Sequence, residues 1–481
     1  MSQLVNESLT RYKAYLSADD FAKLQSVTSQ AAPLSVRINL LKNPKPLESL
    51  NDWRSRYGWQ TKPVPFWNAA CQILRSETLA SQTVEHRFGY YYIQDAASIL
   101  PVALFDPIQA DQLILDMAAS PGGKTTQLMD RSLDKAFILA NDSSFSRLNA
   151  LRVVSQTWGL ANYAICNYPG EKIGDWYPNT FDRVLLDAPC SMESLRVSES
   201  HPFRVISSSE RERLAARQLT LLISAIKACK IGSEVVYSTC TMAPEEDESV
   251  INNFINLFPN CIEIAQTEFQ TTKNQGLIHF ENTQYDPNLS KSLRIWPHLY
   301  VTNGFFAVKL IKTNELPCNE LNRPQRSFKQ TGYVQLKEKE QTNILKQISD
   351  RFSLSPSHLE RFEIYQRDNN LQLIPKAYLE KFYDLPYYNL GLNLGKLIKS
   401  SLEVSLDFVN RFGGFFNNHV WDIPEDIEIF WHQGHDLREI SLPPEFDPGV
   451  IAIKNKNNTI IGAGKWTAQR LRNLLPHRYL L

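Results

Sequence analysis

The chain has 481 residues, more than one hydrophobic core usually holds, so we expect roughly two to four domains. Lys plus Arg and Asp plus Glu both number 51, and this zero net charge excludes bulk attraction to nucleic acid but not a local basic face. No apolar run has membrane-spanning length and the first residues have no signal-peptide pattern, so we expect a cytoplasmic protein, acting as a monomer and without membrane contact.

The N-terminal part predicts a small α+β module. Residues 1 to about 30 have a helical pattern, and residues 34–42 alternate like a strand. Aromatic residues mixed with Pro and Gly follow, and we end this module at residue 90.

The central part, 91–312, predicts a doubly wound, mostly parallel Rossmann-like α/β sheet, because short apolar runs alternate with helical patterns. The predicted strands are 113–115, 136–139, 184–186, 234–237 and 305–311, and the predicted helices are 144–158 and 209–229. Polar residues 313–345 are interpreted as a linker. Residues 346–481 predict a C-terminal α+β region of strands and turns.

A glycine loop follows the first strand of the central part. Its candidate ligand-binding residues are Ala118, Ala119, Ser120, Pro121, Gly122, Gly123 and Lys124. Glycines let a ligand approach the backbone, and free amides at a helix start favour an anion or carboxylate. Gly123-Lys124-Thr125 also fits a phosphate-binding P-loop, but Ala118 replaces its first glycine. A tight turn without a ligand is the alternative.

Asp142 ends the next predicted strand, about 20 residues after the loop, where an acidic residue commonly binds ribose hydroxyls. Capping of the following helix is the other role that its position allows.

Two cysteines, Cys190 and Cys240, follow predicted buried strands and therefore should meet at the carboxyl edge of the sheet. A thiolate is a soft nucleophile suited to adding to C6 of a pyrimidine. Asp187, three residues before Cys190, could contact the base edge if burial raises its pKa. Inert packing of the thiols and loop capping by Asp187 are the alternatives. The seven cysteines have neither metal-ligand nor disulfide spacing, so we expect no metal site.

These motifs together resemble the Sun-type RNA cytosine-C5 methyltransferases. Asp-Ala-Pro-Cys-Ser (187–191) and Tyr-Ser-Thr-Cys-Thr (237–241) are similar to the paired signatures of that family, and the loop is similar to its S-adenosylmethionine loop. The tail 462–476 resembles the PUA-like, RNA-binding end of members that modify bacterial 16S ribosomal RNA. The resemblance is specific for 91–310 and looser elsewhere.

The resemblance implies a role for each matching residue. Cys240 adds to cytosine C6, Cys190 assists product release, and Asp187 supports the adduct. The loop 118–124, Asp142 and Asp187 hold S-adenosylmethionine. Lys124 lies near the reacting groups or merely begins a helix.

Departures from the family pattern concern three positions. Pro169 stands where the family commonly has an adenine-contacting Asp, and Met192 and Ser194 replace two glycines after Cys190. Glu193 is retained, with a solvated loop charge as its alternative.

Both ends of the chain are predicted to bind RNA, the main partner that the resemblance implies. The candidate contacts are Arg37, Lys465, Arg470 and Arg472, with Trp466 or Tyr479 available for stacking on bases. Ordinary surface charge is the alternative for each basic residue. We therefore predict an S-adenosylmethionine-dependent cytosine-C5 methyltransferase of 16S ribosomal RNA. A transfer RNA methyltransferase and a non-catalytic RNA-binding or ribosome-assembly protein are the competing hypotheses.

Overall fold

A computed structural model describes residues 9–196, 206–319 and 321–481. The N-terminal part is a four-stranded antiparallel sheet of order β2-β3-β1-β4, flanked by helices. Its strands are β1 Leu34–Ile38, β2 Gln60–Val64, β3 Trp67–Arg75 and β4 Tyr91–Gln94. Its helices are α1 Ala18–Val27, α2 Pro46–Tyr57 and α3 Val84–Arg87, with a 3₁₀ turn at Ala80–Gln82. The predicted boundary at residue 90 is wrong, because β4 pairs with β1.

The central part is a nine-stranded sheet whose main path has the order β10-β14-β9-β8-β5-β6-β7-β18, with β13 beside β14. Its strands are β5 Leu113–Asp116, β6 Phe137–Asn141, β7 Tyr163–Cys166, β8 Phe181–Asp187, β9 Cys229–Thr239, β10 Ile262–Ile264, β13 Leu293–Ile295, β14 Phe305–Lys312 and β18 Asn389–Leu390. A separate hairpin joins β11 His279–Phe280 to β12 Thr283–Gln284. Strands β5 to β9 are parallel, so the predicted α/β fold is confirmed.

Helices cover both faces of this sheet. They are α4 Leu100–Ala103, α5 Gly123–Ser132, α6 Phe145–Trp158, α7 Gly170–Trp176, α8 Ser208–Ala228, α9 Glu248–Leu257 and α10 Pro297–Tyr300, with 3₁₀ turns at Ala97–Ile99 and Pro287–Lys291. Successive strand residues face opposite sides, so Ile114 joins one apolar core and Leu115 the other. The first core continues into the N-terminal sheet through Val36, which docks that sheet against the central one.

The C-terminal part contains two five-stranded sheets. The first consists of β15 Val334–Gln335, β16 Phe362–Arg367, β17 Asn370–Pro375, β19 Leu392–Ile398 and β20 Ser401–Val404, and the second of β21 Val420–Asp422, β22 Leu437–Arg438, β23 Gly449–Lys454, β24 Ile460–Trp466 and β25 Arg470–Asn473. The helices are α11 Glu338–Phe352, α12 Lys376–Lys381, α13 Leu406–Phe412 and α14 Glu425–His432, with 3₁₀ turns at Phe328–Thr331, Pro356–Leu359, Gly413–Phe415 and His477–Tyr479.

The predicted linker 313–345 is too long at its C-terminal end. Helix α11 begins at Glu338, because Ile344, Ile348 and Phe352 recur every four residues and bury one helical face. The central and C-terminal parts are also not separated by a single point in the sequence, since β18, from within the C-terminal part, joins the central sheet beside β7. Within the described ranges, no helix is long and apolar enough to cross a membrane.

Candidate active site

Parallel pairing of β8 and β9 brings the two predicted cysteines together. Asp187 and Ser238 are register partners at the carboxyl ends of these strands, and a thiol follows each strand within three residues. The Sγ atoms of Cys190 and Cys240 lie 3.2 Å apart, and both residues are partly exposed. The structure thus places both thiols at one point of the sheet edge, where a single base could reach them.

The two thiols are not equivalent. The hydrogen bond to Cys240, together with burial, raises the pKa of Cys190 well above its usual value. Cys190 therefore keeps its proton near neutral pH and is placed to donate it in a hydrogen bond to Cys240 Sγ. A cysteine is nucleophilic as its thiolate, so the protonated Cys190 is the less suited of the two to attack a base.

Asp187 forms an ion pair beside these thiols instead of standing alone in an apolar site. Its Oδ2 lies 2.7 Å from Lys124 Nζ, and its Oδ1 accepts a 2.7 Å hydrogen bond from Ser238. Lys124 also donates to Ser98 Oγ over 3.0 Å. Burial opposes the charge on Lys124, but the Asp187 carboxylate outweighs it and raises the pKa of Lys124. The site thus presents a fixed ammonium and a carboxylate together.

The glycine loop joins β5 to α5 through two positions that need glycine. Gly122 has a φ of +113°, which side-chain-bearing residues rarely adopt. A Cβ on Gly123 would lie 2.8 Å from the ring of Tyr92, closer than atoms can pack. The loop therefore keeps its backbone close to the neighbouring strand β4 and leaves space above it.

That space is a cavity of about 160 Å³ at the predicted cofactor loop. Its lining includes Tyr92, Ile93, Gln94, Ser98, Asp116, Ala118, Ala119, Ser120, Pro121, Gly123, Lys124 and Asp187. Oδ2 of the buried Asp116 accepts a 2.6 Å hydrogen bond from Thr125, whereas Oδ1 has no partner. Burial raises the pKa of Asp116 to about 7.

An unpaired buried carboxylate oxygen needs a donor, ideally a cationic one. The α-ammonium group of S-adenosylmethionine is such a donor, so the residues present fit the expected cofactor. Sequence reasoning assigned no role to Asp116. Its position at the end of the strand that leads into the glycine loop was the available signal.

Asp142 lies directly after β6 and anchors the loop. Its side chain is buried, and its two oxygens accept hydrogen bonds from the backbone amides of Ser120 (3.0 Å) and Ser144 (2.8 Å). Ser144, not Asp142, is the N-cap residue of α6. Ribose binding by Asp142 remains a prediction. Asn167, after β7, donates to the Asp142 carbonyl over 2.6 Å, and Pro169 precedes α7.

The loop after Cys190 is held by buried polar contacts. Glu193 is buried and accepts two 2.7 Å hydrogen bonds from Arg211, so its interpretation as a solvated charge is wrong. Glu246 accepts from the backbone amide of Ser191 over 2.9 Å. Met192 has a φ of +63° and is 51% exposed, so it occupies the backbone conformation of a glycine while its side chain points towards solvent.

Arg37 was wrongly predicted to contact RNA. Its side chain is fully buried, forms an ion pair with Asp130 and donates to Thr126 over 2.7 Å and to the Gly123 carbonyl over 2.9 Å. Arg37 therefore ties β1 of the N-terminal sheet to the helix that begins at the cofactor loop.

The C-terminal candidates differ in their exposure. Arg470 and Arg472 are exposed on β25, whereas Lys465 is partly buried and paired with Glu403. The aromatic residues proposed for stacking are unavailable, because Trp466 is buried and Tyr479 is buried against Phe88. Among the residues that the structure describes, no cluster of His, Cys, Asp and Glu could hold a metal ion.

The doubly wound sheet, the glycine loop with its orphaned carboxylate and the paired thiols define an S-adenosylmethionine-dependent methyltransferase. Comparison with known proteins agrees: the family described as 16S rRNA methyltransferase RsmB/F matches residues 102–311. Ribosomal RNA small subunit methyltransferase F of Pectobacterium carotovorum subsp. carotovorum is 30% identical over 467 residues, covering 96% of this chain and 92% of that protein. The protein of the same name in Vibrio campbellii is 28% identical over 469 residues, covering 96% and 94%.

The chain belongs to the ribosomal RNA small subunit methyltransferase F family. Among solved structures, a methyltransferase homologue from Pyrococcus horikoshii is 26% identical with a TM-score of 0.55, covering 62% of this chain and 92% of its own. NSun6 from the same organism, solved with SFG, has a TM-score of 0.54 at 19% identity, covers 64% and 98%, and supports the fold alone. The predicted family, enzyme class and cofactor are confirmed.

Proposed function

We propose that this protein methylates C5 of a cytosine in 16S ribosomal RNA through a covalent adduct with Cys240. The observation that carries the chemistry is the 3.2 Å approach of two thiols beside the Asp187–Lys124 ion pair and the cofactor cavity. The names of the relatives support the substrate. We further propose that the target belongs to the small ribosomal subunit and that the chain acts as a monomer in the cytoplasm.

Bound S-adenosylmethionine supplies an electrophilic methyl group. Asp116 Oδ1 would accept a hydrogen bond from its ammonium group, the backbone amides at the start of α5 would face its carboxylate, and Asp142 would contact its ribose. Lys124 and Asp187 lie in the wall of the same cavity, so the cofactor and the base would meet at this ion pair.

In the proposed reaction, the Cys240 thiolate forms a bond to cytosine C6, and the electrons of the C5=C6 bond move to C5. Lys124 would stabilise the negative charge on the ring, while the Asp187 carboxylate accepts a hydrogen bond from the exocyclic amine. C5 takes the methyl group. The C5 proton is then lost to water, the electrons of the C5–H bond restore the C5=C6 double bond, and the Cys240–C6 bond breaks. Cys190 assists this release by donating its proton to the departing Cys240 sulfur.

Substituting each thiol tests this division of labour. Cys240→Ala should abolish methyl transfer, and Cys190→Ala should accumulate a protein–RNA adduct that persists on a denaturing gel. Cys318→Ala, which changes an exposed thiol elsewhere, is the matched control and should behave like the unsubstituted protein. An adduct in Cys240→Ala, or normal turnover without an adduct in Cys190→Ala, would contradict the assignment.

Bisulfite sequencing of total RNA from cells with and without the protein tests the substrate. We expect one protein-dependent 5-methylcytosine in 16S ribosomal RNA. A protein-dependent site in transfer RNA would favour that competing substrate. No affinity for S-adenosylmethionine in calorimetry, with RNA binding intact, would favour a non-catalytic RNA-binding or ribosome-assembly protein.

We also propose that the N-terminal part and a PUA-like C-terminal end bind the substrate RNA. The exposed side chains of Arg472 and of Arg470, which lies 3.6 Å from Asp436, support this role, because exposed guanidinium groups can reach phosphates.

A further inference from the structure

A second cavity, which we call the Arg411 pocket, lies at the opposite edge of the central sheet from the cysteines. Its volume is about 580 Å³, and Leu133 and Lys135, which directly precede β6, form part of its wall. The N-terminal part contributes Lys42, Tyr90 and several neighbouring residues, and the C-terminal part contributes His358, Asn410, Arg411, Gly414, Phe415 and Ile460. The pocket thus exists only where the separate parts of the chain meet.

The basic residues Lys42, Lys135, Arg411 and His358 line the Arg411 pocket, and no Asp or Glu is among its lining residues. Burial lowers the pKa of His358 and lowers that of Lys42 well below its usual range, and Arg411 pairs with Asp134 behind the pocket wall. A cleft of equal volume between the two C-terminal sheets has compensated charges instead. There Asp447 lies 3.1 Å from Arg351 and 2.6 Å from His419. The exposed ammonium of Lys135 and the unpartnered nitrogen of Arg411 nevertheless favour an anionic ligand.

Arg411 carries the strongest sign of a missing partner. Its side chain is 9% exposed, its Nε lies 2.9 Å from Asp134, and its Nη1 is buried without a hydrogen-bond partner. Lys42 behaves differently, because it donates to the carbonyls of Phe88 (2.6 Å) and Thr157 (2.9 Å) and to Asn410 Oδ1 (2.6 Å), which satisfies all three of its donors. An unsatisfied buried donor such as Nη1 of Arg411 is costly unless a ligand or water binds it.

An aromatic ring stands at the mouth of the pocket. Phe415 is 42% exposed, and its ring centroid lies 4.4 Å from that of His358, with 33° between the ring planes. The neighbouring Gly414 has no atoms within 4 Å of the place where a Cβ would be, so the space beside this turn is open. An exposed ring beside fixed cations suits a planar base attached to a phosphate.

We propose that the Arg411 pocket binds one unpaired nucleotide of RNA, with its phosphate at Arg411 and Lys135 and its base stacked on Phe415. This inference rests on the proposed function in one respect, which is the identification of the ligand as RNA. Since the pocket lies at the amino ends of the strands and the thiols at their carboxyl ends, the bound nucleotide anchors the substrate away from the methylated base.

Binding of a mixed-sequence, single-stranded RNA of about 20 nucleotides to the full chain tests the proposal. Phe415→Ala should weaken binding about tenfold through lost stacking. Lys135→Glu should weaken it several-fold and reduce the slope of log affinity against log salt by about one, a change that a merely structural role would not produce. The matched controls are Phe430→Ala, another half-exposed ring, and Lys339→Glu, another exposed lysine.

Cytidine 5′-monophosphate is the second probe. If the mononucleotide binds weakly and the pocket variants lose RNA affinity, the ligand is RNA. If the mononucleotide binds as tightly as RNA, the proposal of an RNA ligand is overturned in favour of a free nucleotide. Unchanged RNA affinity and salt slope in both pocket variants overturn the pocket itself. If both pocket variants bind RNA more weakly as expected but the unsubstituted protein transfers no methyl group, the proposed function is refuted while the Arg411 pocket is still supported as an RNA site.

Discussion

The two edges of the central sheet are built in different ways. At the carboxyl edge, each functional side chain lies within a few residues of its strand end, as Asp116, Asp187 and Cys240 do. At the amino edge, the Arg411 pocket takes residues as far apart in the chain as Lys42 and Ile460. Strand ends are local features of sequence, whereas a pocket between packed parts has no local signature.

The contrast also concerns charge. At the carboxyl edge, Lys124 is neutralised by Asp187, so the site is polar without a strong net field. At the amino edge, Arg411 also pairs with a carboxylate, Asp134, but the exposed Lys135 adds a positive charge to the pocket wall. We therefore expect the rate of methyl transfer to depend on the carboxyl edge and RNA affinity to depend on the amino edge. Substitutions at each edge test this separation.

The largest effect should follow Asp187→Asn at the carboxyl edge. Loss of the carboxylate removes the partner of Lys124 and the acceptor for the cytosine amine, so the single-turnover rate should fall about 10²- to 10⁴-fold. Rapid-quench measurement of methyl transfer at saturating RNA checks it. Asp111→Asn, at an exposed carboxylate just before β5, is the control and should leave the rate unchanged. A similar loss of the methyl-transfer rate in Lys135→Glu would contradict the expectation that the two edges have separate roles.

Arg37→Met should reduce the free energy of unfolding by about 3–5 kcal/mol, because it leaves the buried Asp130 carboxylate without its cation. Urea denaturation measures this, and Arg75→Met, at an exposed position of β3, should change stability by less than about 0.5 kcal/mol. Full stability combined with weaker RNA binding in Arg37→Met would instead restore the interpretation of Arg37 as a phosphate contact.

A smaller effect is expected from pH. Because the pKa of Asp116 is raised to about 7, this group is largely protonated below pH 7 and ionised above it. Only the carboxylate attracts the ammonium of S-adenosylmethionine, so cofactor affinity should rise several-fold between about pH 6 and pH 8. Calorimetry across this range checks the direction. Asp116→Asn should bind S-adenosylmethionine more weakly and lose this pH dependence. If the cofactor affinity of Asp116→Asn instead rose with pH as it does in the unsubstituted protein, Asp116 would be excluded as the titrating group.

Much of the fold could be predicted because it depends on local patterns. Helix α6 begins and ends within one residue of its predicted bounds, 144–158, and β5 and β14 each contain their predicted strands. Helix α11 was missed, because the charged residues at its start conceal the four-residue spacing of its apolar side chains.

Surface exposure was the weakest prediction. Arg37 and Tyr479 are a basic and an aromatic residue of the kind that binds RNA, but each is buried by a partner distant in sequence, Asp130 and Phe88. A side chain's type does not reveal whether another part of the chain covers it.

The sequence by itself determined the parallel strand-and-helix order and the motifs at the strand ends, because these follow from patterns within a few residues. Only the tertiary structure decided that Cys190 and Cys240 lie 3.2 Å apart, that Asp187 pairs with Lys124 and that Arg411 lies in a pocket without carboxylates. Register between strands and packing between parts set these distances, and both depend on contacts between residues far apart in the chain.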